Sequence, residues 1–160
     1  MAVAQTSVDY TGRSVDLLIF QGVVAVGKQK VTTGWGGVGE LCTGIQKVAQ
    51  TWLALFLTEP GTVLNKPTRG SDFITAVRRG QIQVESDVPA EFALAAEQVR
   101  RTMDLDAATE SWPTDEQLDA AILEDFTLDK ETSFLYLRIR ILSVAGEARV
   151  IYLPVPTVIM

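Results

Sequence analysis

The 160-residue sequence contains no histidine and a single cysteine, Cys42. Without histidine there is no Ser-His-Asp or Cys-His catalysis, and the commonest nitrogen ligand of zinc and iron is missing. One cysteine excludes an internal disulfide. No apolar run approaches the ~20 residues that span a bilayer. The opening MAVAQTSVDYTGRS lacks a basic region followed by an apolar one, so no secretory signal is expected. Basic residues are also short: 14 Lys and Arg against 20 Asp and Glu give a formal charge of -6. Such a chain has no bulk attraction for nucleic acid or for an anionic membrane, and neither is expected as a partner.

What is present describes a globular chain. Apolar residues make up 47% and charged residues 21%, a balance that supports one packed domain. VDLLIFQ (15–21) and VVAVGKQKV (23–31) are rich in β-branched and aromatic residues and predict two short strands or an extended arm. Leu41, Ile45, Val48, Trp52, Leu55 and Phe56 recur at spacings of three and four, one stripe of an amphipathic helix. Gly44 inside that helix would cost roughly 1 kcal/mol relative to alanine, and Cys42 reads as a small core residue on it. TEPG ends the helix, because the residue before Pro60 is pushed out of helical space and Gly61 accepts a left-handed turn. SDFITAVRRG predicts a short helix capped by Ser71 or Asp72. PAEFALAAEQVRRTMDLDAA predicts a longer one, with Phe92, Ala96, Val99 and Met103 on one face and Pro89 in the first turn.

Residues 119–155 predict three antiparallel strands. A three-residue turn at 145–147 sets Ile139 and Ile141 against Leu153 and Ile151, and leaves Arg138 and Arg140 beside Pro154 and Tyr152 on the other face. Phe126 and Ile122 would join the apolar face. Glu124 breaks the alternation and reads as a sheet-edge position or a bulge, and Pro154 and Pro156 would interrupt pairing of the last strand. The expected fold is α+β: an N-terminal extended arm with short strands over residues 1–40, then an α+β domain over 41–160. In that domain two to three helices pack on one face of a C-terminal three-stranded meander.

Several constellations invite a chemical reading. TTGWGGVGE (32–40) fits G-x-G-x-x-G at Gly34, Gly36 and Gly39. A dinucleotide loop needs a buried strand running straight into the first glycine. Here the preceding KQKVTT is mostly polar, Trp35 is bulky where a pyrophosphate must approach, and no Lys-Ser/Thr pair follows. Gly34, Gly36, Gly37 and Gly39 therefore read as a hinge between arm and body, and no cofactor is expected. Asp115, Glu116, Asp119, Glu124 and Asp125 cluster, but an acidic run is ordinarily a solvated face. Arg78/Arg79 and Arg100/Arg101 read as helix-surface charge near C-terminal ends. No calcium loop is present, and one cysteine without histidine leaves only oxygen ligands for a metal.

The stretch WLALFLTEPGTVLNKPTRGSDF (52–73) runs from a helix ending in Leu57-Thr58 through Pro60-Gly61-Thr62 and Pro67 to Gly70-Ser71. It resembles the small baseplate-wedge or sheath-initiator family of contractile phage tails and related injection systems. In that family a helix leads into a similar pattern, Leu-Leu-Thr-x-x-Gly-Ser/Thr, a proline and a Gly-Ser/Thr turn, and a short helix, a longer helix and a terminal antiparallel sheet follow. The order of elements matches from about Leu41 to Val155. Many members carry Glu-Pro-Arg before the first sheet strand. Here that place reads SWPTDEQ, which keeps Trp112 and Pro113 but lacks the arginine.

The resemblance implies a non-catalytic virion protein of the tail baseplate, made in the host cytoplasm. Its partners would be baseplate wedge proteins, tail tube and sheath proteins, with no small-molecule substrate, and its sheet would lend an edge to sheath arms. The residues it implicates in partner binding are Thr58, Glu59, Pro60, Gly61, Pro67 and Gly70 in the turn, and Trp112 and Pro113 before the sheet. Tyr136, Arg138, Arg140 and Tyr152 join them on the polar sheet face. A small non-catalytic adaptor of the same α+β shape is the alternative.

Overall fold

A computed structural model of the chain describes residues Asp16–Leu17 and 41–157. Strand β1 (Asp16–Leu17) pairs antiparallel with β2 (Leu41–Cys42). Helices α1 (Gly44–Leu57), α2 (Phe73–Arg78) and α3 (Val88–Glu110) follow. The chain ends in a meander of β3 (Leu118–Asp129), β4 (Phe134–Ser143) and β5 (Ala148–Pro156), in the order β3-β4-β5. The fold is α+β, with helices on one face of an antiparallel sheet.

One stripe of each element faces the core. Val48, Trp52, Leu55 and Phe56 of α1, Phe73 and Val77 of α2, and Phe92, Val99 and Met103 of α3 are buried. They meet Leu135, Leu137, Ile139 and Ile141 of β4 and Leu153 and Val155 of β5. Four aromatic rings lock the three helices together. Trp52 stacks on Phe56 at 4.6 Å between centroids, and Phe56 lies 4.5 Å from Phe73 and 5.6 Å from Phe92. Full burial of each such side chain contributes about 1.5–3 kcal/mol.

The structure corrects several sequence expectations. Leu41 and Cys42 lie on a strand, not on α1, although Cys42 is buried as expected. Gly44 is the first helical residue, so the interior penalty does not apply. Asp72 occupies the N-cap position of α2 without a side-chain cap bond; its carboxylate instead accepts from Gln98 Nε2 at 2.6 Å. Arg100 and Arg101 are mid-helix, because α3 continues to Glu110.

The β4–β5 register differs from the expected one by two residues. The connection spans 143–147, closed by Ser143 N–H donating to Glu147 O at 2.9 Å, and it pairs Ile139 with Ile151 and Arg138 with Tyr152. A shift of two preserves side-chain parity, so the face assignments hold. In β3, the ladder slips between Leu123 and Asp125, which makes Glu124 a bulge residue. Phe126 joins the core face as expected. Ile122 does not: the bulge inverts the alternation before it, so Ala121 and Leu123 pack inward and Ile122 is exposed opposite Arg140.

Pairing of β5 also runs through both prolines, to Phe134 opposite Pro156. Thr157 N–H donates to Ser133 O at 2.8 Å, so the odd-numbered residues of β5 turn their N–H groups toward β4. Pro154 and Pro156 thus fall where the missing N–H would point to the free edge.

Candidate functional site

The implicated residues fall into three separate groups. The first is the turn from Thr58 to Ser71, which joins α1 to α2. Thr58 ends α1 in an extended conformation, its N–H donating to Leu55 O and its hydroxyl to Ala54 O. Gly61, at φ +87°, is left-handed as expected and donates to Pro67 O at 2.7 Å. Ser71 is fully buried; its N–H donates to Thr58 O at 2.8 Å and its hydroxyl to Phe56 O at 2.7 Å.

Gly70 sits against the carbonyl of Thr58 so closely that a Cβ would lie 2.2 Å from the oxygen. Glu59 accepts from Arg78 of α2 at 2.8 and 2.9 Å. Arg69 pairs with Asp106 of α3 at 2.6 Å. Each of these residues has an intramolecular task in stapling the turn to the helices, while Pro60, Gly61 and Pro67 remain exposed on its rim.

The second group lies before the sheet. Trp112 is half-buried against the core, with its indole N–H donating to Glu110 at 2.7 Å. Its ring lies 5.0 Å from Lys47 Nζ, a cation–π contact. Pro113 leads into a 3₁₀ turn at Thr114–Glu116. There Glu116, fully buried, forms an ion pair with Lys47 at 3.0 Å. This pair was not foreseen from the sequence. The available signal was a lysine in the first turn of a helix otherwise rich in apolar residues, where burial calls for a counter-charge. Near it, burial raises the Cys42 thiol pKa above its ordinary 9.0, and the carboxylate of Asp16 raises it further.

The third group occupies the sheet face turned away from the helices. Tyr136 and Tyr152 are half exposed, and the Arg138 guanidinium lies 5.6 Å from the Tyr152 ring. Glu124 forms ion pairs with both arginines: with Arg138 Nε at 3.1 Å, and with the Arg140 guanidinium. The bulge thus supplies, from the neighbouring strand, the acid that pairs with two arginines set side by side by the alternation of β4.

The clustered carboxylates are dispersed by the fold. Glu116 is buried with Lys47, Glu124 pairs with the arginines, and Asp119 and Asp125 face solvent. Among the described residues no group of three or more His, Cys, Asp and Glu side chains could hold a metal ion, and no helix is long and apolar enough to cross a membrane. Gly34, Gly36, Gly37 and Gly39, with the expected hinge, lie outside the described residues. Of the expected arm, Asp16–Leu17 returns to the body through β2, and Asp16 accepts from Gln50 of α1 at 3.1 Å. Comparison of the chain with protein-family models, curated proteins and solved structures returned no match.

Proposed function

We propose that this chain is a structural component of a contractile phage tail baseplate, placed between wedge and tube, where it starts the sheath by offering a sheet edge to sheath arms. One observation carries the reading. The meander is covered by helices on one face only, and among the described residues β3 and β5 pair with no further strand. Such edges are either protected or used. On β5 the free edge offers N–H groups at Ala148, Val150 and Tyr152, then none at Pro154 and Pro156, so an added strand would register on the first half. The turn that resembles the family supports the same reading, since it is rigid and its rim is exposed.

The test is mass spectrometry of purified tail particles from the source of the sequence, together with electron microscopy of tails made without this chain. The chain should be found in the particles, and its loss should leave tubes without an ordered sheath. Its absence from the particles, or normally sheathed tails made without it, would overturn the proposal.

A further inference from the structure

The outward face of α3 carries a pattern that reads the same in both directions. Phe92, Val99 and Met103 point into the core. The opposite side presents Ala90, Leu94, Glu97, Arg101, Leu105 and Ala108. Leu94 and Leu105 are 65% and 68% exposed. They stand about three helical turns apart and project within about 20° of one another. Taken forward, the stripe is small, leucine, acid, base, leucine, small. Taken backward it is the same, with acid and base exchanged.

That exchange is what a two-fold axis requires. If a second copy is laid antiparallel across α3 with the axis near Val99, Leu94 meets Leu105 of the second copy, and Glu97 meets its Arg101. Both contacts then recur on the other side of the axis. An unrelated helix has no reason to match this order, whereas an isologous contact matches itself. Within the chain Glu97 accepts from Arg100 Nε at 2.9 Å and from Arg101 Nε at 3.0 Å, so the carboxylate lies on the stripe among guanidinium groups, and the two-fold contact exchanges its own Arg101 for that of the second copy. One flank is occupied by internal pairs, Gln98 with Asp72 and Asp106 with Arg69, and the other is exposed and carries Arg100 and Asp104.

We infer that the outer face of α3 is an interaction surface for a second copy of this chain, packed as an antiparallel two-fold helix pair. This does not rest on the tail assignment.

A one-helix contact falls below the ~1,200 Å² of a standard interface, so the dimer is weak. Sedimentation of the full chain should show monomer giving way to dimer between about 1 µM and about 1 mM. L94E/L105E should remain monomeric throughout that range with an unchanged circular dichroism spectrum. The decisive arm uses charge. E97R places arginine against arginine across the axis, and R101E places acid against acid, so each variant alone should lose self-association. Mixed together they should pair, because each supplies what the other lacks. A wild-type chain that stays monomeric at the top of the range would overturn the inference. So would a dimer indifferent to L94E/L105E, or folded E97R and R101E that fail to pair on mixing.

Discussion

Replacing Gly70 by alanine tests whether the Thr58–Ser71 turn is held as tightly as its contacts imply. Gly70 has φ +123°, and a Cβ there would lie 2.2 Å from Thr58 O and 2.9 Å from Thr58 C. The carbonyl cannot swing aside cheaply, since it accepts from Ser71 N–H at 2.8 Å while the Ser71 hydroxyl is bound to Phe56 O. Gly61 in the same turn is the internal control. It is also left-handed, at φ +87°, but a Cβ there meets nothing within 4 Å. Gly61→Ala therefore carries a torsional cost alone, about 1–2 kcal/mol. Gly70→Ala adds a displaced backbone to a torsion confined in practice to glycine, for a total of about 3–5 kcal/mol. At ~2–4 °C per kcal/mol for a domain of this size, Tm should fall by about 6–20 °C for Gly70→Ala and by about 2–8 °C for Gly61→Ala. Thermal and urea unfolding followed by circular dichroism measure both. Equal losses for the two variants would show that the close approach to Thr58 is not what fixes Gly70.

Two further perturbations probe the packing beneath the N-terminal strands. Glu116→Ala leaves Lys47 buried without its carboxylate and should destabilise by about 3–5 kcal/mol, whereas K47M/E116L, which removes both charges, should lie much closer to wild type; urea midpoints distinguish the two, and equal losses would deny the coupling. The raised Cys42 pKa predicts an alkaline limb. Stability is complete below the ordinary thiol value of 9.0 and falls as pH rises toward and through the raised value, because the unfolded chain releases its proton first. C42A should flatten that part of the profile; urea midpoints measured from pH 8 to pH 11 that fall as steeply in C42A as in wild type would refute it.

Much of the fold was legible because side-chain period and turn chemistry agree. The spacing of Val48, Trp52, Leu55 and Phe56 marks α1, Pro60 and Gly61 mark its end, and the alternation through Leu135, Leu137, Ile139 and Ile141 marks β4. Parity survived an error of register because the error was two residues. The Ile122 assignment failed for the opposite reason: a single extra residue changes parity, and a bulge can be suspected from Glu124 without revealing which half of the strand it inverts. The prolines of β5 were misread because their compatibility with pairing depends on which way the missing N–H points, a property of register and not of composition.

The candidate site was less legible. The turn residues were singled out, but their intramolecular roles depend on partners remote in sequence, such as Asp106 for Arg69 and Arg78 for Glu59. The same holds for Glu116 and Lys47, joined only when the 3₁₀ turn folds against α1.

The bulge at Glu124 makes β3 a strand written in two phases. Before it the odd residues Ala121 and Leu123 face the helices; after it the even residues Phe126 and Leu128 do. Deleting this one residue would set Leu123 and Asp125 in direct succession opposite Ile139 and Arg138, a regular alternation in which Ala121, Leu123, Phe126 and Leu128 all keep the core face. The same deletion would strip Arg138 and Arg140 of their shared acid. Length and charge are thus inherited together at this position, and a related sequence that drops the residue should also have changed its arginines.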